Sequence, residues 1–188
     1  MGRRRNVPVV AVLTLAVGLT LFGFASMILC RQHDPDPNGD QPTARDAPAT
    51  ASADPSAAPL DPDLARQRQR MLDRHLRGRD IDDPAVLAAL GRVRREQFVP
   101  HEYRESAYAD RPLPIGHGQT ISQPYIVALM TDLLDLQPTD RVLEIGTGCG
   151  YQSAVLAELA ARVVSIETFE TLALTAAARL ARLGYDNV

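Results

Sequence analysis

Glycines at alternate positions, Gly146, Gly148 and Gly150, follow the acid Glu144 in the stretch RVLEIGTGCGYQSAVLAELAARVVSIE, and a second acid, Glu167, closes it. Those residue types at that spacing suit the holding of a nucleoside. Glycines let the chain turn tightly and let a ligand approach main-chain N–H groups that a Cβ would shield. A carboxylate about 20 residues further on, at the end of a strand, can bond ribose hydroxyls. The elements needed to position these groups lie in the same stretch. An apolar run from Arg141 predicts a strand, the glycines a turn, YQSAVLAEL a helix, and RVVSIE a second strand ending in Glu167. That order is the first half of a nucleotide-binding βαβ unit, and it predicts a ligand carrying an adenosine.

The spacing selects among adenosine ligands. A dinucleotide fingerprint needs G-x-G-x-x-G, but here the third glycine comes one position early and Tyr151 stands where Gly or Ala is required. A Walker loop ends in Gly-Lys-Ser/Thr, and this chain contains no lysine. E-x-G-x-G-x-G is similar instead to the first motif of the S-adenosylmethionine-dependent methyltransferases. By itself the motif leaves open a glycine-rich βα turn in some other doubly wound protein. The upstream context narrows the choice: GQTISQP precedes the loop, PAVLAALGRVRREQFVP leads into it, and LGYDNV closes the chain. On these segments, from about Gln67 to Val188, the chain resembles the protein-L-isoaspartate O-methyltransferases.

The resemblance implies an α/β fold, the Rossmann-like doubly wound sheet of class I methyltransferases. Only two of its strands would be complete here, because the chain stops at Asn187-Val188 where a third is due; a C-terminally truncated sequence is the expectation. The implied reaction moves the methyl of S-adenosylmethionine to the α-carboxylate of an L-isoaspartyl residue, the β-linked product of Asn deamidation or Asp isomerisation. By resemblance Ser122 is the active-site hydroxyl, with Thr120 and Gln123 helping to hold the isoaspartyl carboxylate. Glu144, Gly146, Gly148 and Gly150 would line the cofactor, Glu167 would take its ribose, and Cys149 is small enough for its place. The implied partners are isoaspartyl-containing proteins and peptides, acted on by a monomeric catalytic domain. Two other classes stay open: a small-molecule methyltransferase, which would share Glu144 to Gly150 and Glu167 without needing GQTISQP, and a non-catalytic cofactor-binding protein.

These residue types agree with that reaction. Methyl transfer from a sulfonium to a carboxylate joins a charged nucleophile to an activated carbon, so positioning outweighs any need for a strong base. The bland alternative for Ser122 is a helix cap, since Ser-Gln-Pro-Tyr precedes the apolar series Ile126, Leu129, Met130, Leu133 and Leu134. His117, in Gly116-His117-Gly118, is a surface residue with a possible contact to substrate. His33, His75 and His101 and the cysteines Cys30 and Cys149 have no metal spacing and form no C-x-x-C pair, so no metal site is predicted.

The N-terminus carries a separate signal. Arg3, Arg4 and Arg5 precede a run from Val7 to Leu29 without a charge. That run exceeds the about 20 residues needed to cross a bilayer as a helix, which predicts a membrane anchor or signal peptide over 1–30. The arginines place the N-terminus inside and the enzyme domain on the extracytoplasmic side. Residues 31–63, rich in Pro, Ala, Asp, Ser and Thr, predict a disordered tether, and 64–188 the N-terminal part of the methyltransferase domain. Helices are expected over LARQRQRMLDRHLRG, broken at Gly78, and from Asp83-Pro84 onward, an acidic cap with proline at the first helical position. The arginines from Arg66 to Arg79 read as a solvated helix face rather than a nucleic-acid surface, because the chain's formal net charge is −3.

Overall fold

The computed structural model describes residues 9–13 and 61–188. Most of the expected anchor or signal segment over 1–30 and most of the expected tether lie outside these residues.

Helix α1, Pro62–Arg70, starts at an Asp61 cap whose Oδ1 accepts the Asp63 N–H at 2.7 Å. The folded part therefore begins ahead of the expected boundary at residue 64. α1 buries only Leu64 and runs on into a π-helical turn, Met71–Arg77, that buries Met71, Leu72 and Leu76. The turn ends at Gly78, where a Cβ would lie 2.9 Å from the Arg74 carbonyl oxygen, so the break falls where expected for a steric reason. The arginines on this segment face solvent or pair with Asp63, Asp73 and Asp110. Helix α2, Pro84–Arg92, has the expected start: Asp83 accepts from Ala85 N at 2.6 Å and Val86 N at 3.2 Å. It buries Val86, Leu87, Ala89 and Leu90, an i, i+3, i+4 stripe.

Beyond two 3₁₀ turns, Arg95–Gln97 and His101–Ser106, a hairpin of β2 (Leu113–Gly116) and β3 (Gln119–Ile121) carries the GQTI segment. Helix α3 follows over Pro124–Asp132. The apolar series read for this helix is buried at Met130 and Leu134. Val127, Ala128, Met130 and Thr131 are buried, whereas Ile126 is half-buried and Leu133 is 55% exposed.

The βαβ unit is as predicted: β4 (Arg141–Ile145), α4 (Tyr151–Ala157) and β5 (Arg162–Ile166), with the strands parallel and Arg141 opposite Arg162. Helix α5, Glu170–Arg182, follows. Leu134, Val142, Leu156, Ala160 and Val163 pack where α4 covers the two strands, and a larger cluster joins α1, α2, α3 and α4. Ile145, Val164 and Ile166 stay 41%, 43% and 51% exposed, which leaves one side of the sheet incompletely covered. Beyond the β5 edge the Asn187 carbonyl accepts from Val163 N at 2.8 Å, so the chain comes back alongside β5 where a further strand was expected.

Within the run expected to be a membrane helix, Val9–Leu13 forms a strand, β1, lying parallel to β4 on the side away from β5, with Val9 opposite Arg141 and Leu13 opposite Ile145. The pairing satisfies backbone N–H and C=O groups of β4 on that side. Among the described residues no helix is long and apolar enough to cross a membrane.

Candidate active site

The chain brings two distant segments to one cleft. Thr120, Ile121 and Ser122, at the end of β3, face Gly146, Thr147, Gly148 and Cys149, with Val127, Tyr151 and Gln152 completing the lining. Of the residues named from sequence, Thr120, Ser122, Gly146 and Gly148 thus share one surface.

Ser122 is held by its backbone. Its carbonyl accepts from Arg95 Nη2 at 2.7 Å. It is not the cap of α3: the cap position is Gln123, which makes no side-chain capping bond, and the Tyr125 N–H is taken by Asp110 Oδ1 at 3.2 Å. The hydroxyl is thereby released from the structural role that a serine before a helix would ordinarily take. Gln123 turns from the cleft, with Nε2 donating to Asp110 Oδ2 at 2.8 Å. Asp110 therefore organises the segment from outside it, and only its placement across the fold reveals this.

The glycine loop works differently from expectation. The Gly146 N–H donates to the Ile166 carbonyl at 2.7 Å, Thr147 N to the same oxygen at 3.3 Å, and Gly150 N to the Thr147 carbonyl at 2.9 Å. Gly148 N donates to Glu167 Oε2 at 2.7 Å. These N–H groups fold the loop onto itself and onto β5 rather than standing open to a ligand. The glycines are needed for conformation, with φ of 95° at Gly146 and 87° at Gly150, values that side-chain-bearing residues rarely adopt. Gly150 also begins α4 tightly against α5, where a Cβ would lie 3.2 Å from Leu180 Cδ1.

Glu144 does not face the cleft. It is 0% exposed, and its Oε2 accepts from the hydroxyls of Ser153 and of Ser165, the latter at 2.6 Å. Because Ser165 spends its proton on Glu144, Thr147 donates in the 2.6 Å contact between the Thr147 and Ser165 hydroxyls. Glu144 thus fixes the loop from behind. The signal was present in the sequence: in a strand of period two, Glu144 shares the face of the buried Val142.

Glu167 stands just past β5. Besides Gly148 N it accepts from Thr168 N at 2.8 Å and Phe169 N at 3.1 Å through Oε1. Partial burial pushes its pKa up, and the backbone donors at Phe169, Gly148 and Thr168 outweigh burial, leaving the carboxyl below its ordinary value. It is an anion at neutral pH, tied to the glycine loop and part-exposed at the end of β5. His117, at φ 52°, places Nε2 2.8 Å from Thr171 Oγ1 and its ring 5.7 Å from Phe169, joining the hairpin tip to the start of α5. Burial raises the Cys149 thiol pKa, so Cys149 lines the cleft as a small protonated group. Among the described residues no group of His, Cys, Asp and Glu is arranged to hold a metal ion.

Comparison with known proteins bears on what this cleft is. The family model for protein-L-isoaspartate(D-aspartate) O-methyltransferase matches residues 66–188. The chain belongs to that family. A protein-L-isoaspartate O-methyltransferase of Methanoregula boonei is 59% identical over 122 residues, covering 65% of this chain and 56% of the relative. One of Methylorubrum populi is 61% identical over 117 residues, 62% of this chain and 55% of the relative. A solved protein-L-isoaspartate O-methyltransferase superposes with a TM-score of 0.56 at 31% identity, covering 64% of this chain and 40% of the other. The chain thus spans a little over half the length of the Methanoregula boonei and Methylorubrum populi relatives. Both halves of the cleft, the GQTISQP segment and the glycine loop, lie inside the matched region.

Proposed function

We propose that the cleft binds S-adenosylmethionine and the α-carboxylate of an L-isoaspartyl residue and transfers a methyl group from the first to the second, as a step in the repair of damaged proteins. The observation that carries this reading is the meeting of Thr120 and Ser122 with Gly146 and Gly148 on one surface, in a chain of this family. The residues present fit the cofactor. Gly146 and Gly148 line the cleft without side chains, and Gly148 N donates to the Glu167 carboxylate, which we assign to the cofactor's ribose.

S-adenosylmethionine, when bound, supplies a methyl carbon already activated by a sulfonium. What remains for the protein is to hold a carboxylate oxygen in line. The Ser122 hydroxyl, free of capping duty, can donate to one carboxylate oxygen and leave the other to attack. Thr120 offers a second hydroxyl on the same wall. No proton needs to move, because the nucleophile is already ionised. The test is methylation of a peptide containing L-isoaspartate beside its normal aspartyl isomer. Methyl esterification of the isoaspartyl peptide alone is expected, and equal reaction of both would remove the proposed selectivity.

We further propose that the catalytic domain works on the extracytoplasmic side of a membrane, on the strength of Arg3–Arg5 and the uncharged run to Leu29. A bilayer helix over that run and the strand at Val9–Leu13 exclude each other, since both need the same residues. Anchoring therefore requires β1 to leave β4. A fusion of residues 1–60 to alkaline phosphatase, active only after export, should be active, and a silent fusion retained in the cytoplasm would refute the topology.

A further inference from the structure

Arg95 is an arginine the reaction has not yet used. It starts the 3₁₀ turn Arg95–Gln97 and is 0% exposed. Its Nε donates to the Ala107 carbonyl at 2.7 Å and its Nη2 to the Ser122 carbonyl at 2.7 Å. Its Cζ lies 4.7 Å from the centre of the Tyr151 ring, and Tyr151 forms part of the cleft wall. The third nitrogen, Nη1, and the Tyr151 hydroxyl are both buried beneath the same wall, where the guanidinium acts on the phenol and neither meets a carboxylate.

No carboxylate compensates this guanidinium. The adjacent Glu96 is already engaged, accepting from Arg94 Nε at 2.8 Å and from the Tyr108 hydroxyl at 2.5 Å, and none of the salt bridges among the described residues includes Arg95. An arginine stays protonated even when buried, and a buried charge without a partner is costly to keep. A tether to two carbonyls could be made by a neutral amide. The geometry therefore asks what the charge itself does, one side chain behind the surface where Ser122 stands.

We infer that Arg95 is a positioning residue for the methyl acceptor: it fixes the Ser122 segment through that residue's carbonyl, and its unbalanced positive charge favours an anionic acceptor in the cleft over a neutral one. The inference rests on the proposed carboxylate substrate and adds the source of its selection. The field of a guanidinium a few ångströms behind the wall, poorly screened there, is worth about tenfold in the affinity of an anion.

The experiment uses the full-length protein with Arg95→Gln and Arg95→Lys. Calorimetry in the presence of S-adenosylhomocysteine compares an isoaspartyl peptide with the same peptide carrying a carboxamide in place of the acceptor carboxylate. Kinetics on the carboxylate peptide separate KM from kcat. Arg95→Gln is expected to raise the Kd and KM of the carboxylate peptide about tenfold while moving the carboxamide peptide and S-adenosylmethionine less than about twofold. Arg95→Lys should recover most of the preference. Equal weakening of both peptides by Arg95→Gln would leave Arg95 as a mechanical tether alone and overturn the inferred selection of an anionic acceptor by its charge. If Arg95→Gln does not fold, judged by circular dichroism and loss of cofactor binding, Arg95→Lys decides: a charge in place with the preference lost also overturns it. Wild-type protein inert toward the isoaspartyl peptide sinks the proposed reaction, and this inference with it. Wild-type activity beside an unchanged Arg95→Gln preference sinks the inference alone.

Discussion

Substituting alanine at Ser122 is expected to lower turnover of an L-isoaspartyl peptide about a hundredfold, the usual cost of losing one positioned transition-state contact, with S-adenosylmethionine affinity unchanged. The expectation depends on the division of labour around α3. The helix is capped by Asp110 through the Tyr125 N–H, and the Ser122 backbone is held by Arg95, so neither function passes through the Ser122 hydroxyl. Removing that hydroxyl should leave the thermal midpoint close to wild type. It should also leave the glycine loop in place, because the loop is fixed from the far side by Glu144 and Ser165 through Thr147. Steady-state kinetics, calorimetry and a melting curve on the same variant decide the matter. A variant that turns over at the wild-type rate would take the hydroxyl out of the acceptor site. A turnover loss matched by a large fall in melting temperature would return Ser122 to a role in the fold.

What could be seen in the sequence follows the range over which each signal acts. The βαβ unit was legible because its cues are local: an apolar run from Arg141, glycines where φ turns positive, and a helix beginning at Tyr151. Asp83-Pro84 marked the start of α2 for the same reason, with both capping bonds made within three residues. The site was legible only as far as residue type goes. Nothing within GQTISQP says that Asp110 caps the following helix or that Arg95 reaches the Ser122 carbonyl, since those partners lie 15 and 27 residues upstream of the groups they bind. Glu144 belongs between the two cases. Its type suggests a ligand, whereas its place on the face of Val142 points it into the protein, and the periodicity outweighs the type. The N-terminal run reads differently in sequence and in structure over Val9–Leu13 because an apolar segment rich in β-branched residues satisfies the pattern of a membrane helix and of a strand alike. The choice depends on β4 having a side to pair, which the segment's own residues do not encode.

Replacing Gly146 by valine should abolish S-adenosylmethionine binding, a loss of at least about a hundredfold, because both the shape of the loop and the space in front of it depend on this residue. Its backbone is committed at φ 95°, which a β-branched residue tolerates poorly, and it cannot relax freely while its N–H donates to the Ile166 carbonyl at 2.7 Å. The strain falls at the junction of β4 and the loop, one residue before Thr147, whose hydroxyl carries the link to Ser165 and Glu144. Distortion there should also disturb Gly148, whose N–H donates to the Glu167 carboxylate proposed to hold the ribose. Alanine at the same position separates the two causes. It carries nearly the same left-handed penalty, of about 1–2 kcal/mol, but only one carbon of bulk, so a loss caused by strain should appear in both variants and one caused by filling the cleft mainly in valine. Calorimetric titration of each full-length variant, beside its melting curve without ligand, reads the difference. Wild-type affinity in Gly146→Val would remove the loop from the cofactor site, whatever the family resemblance implies.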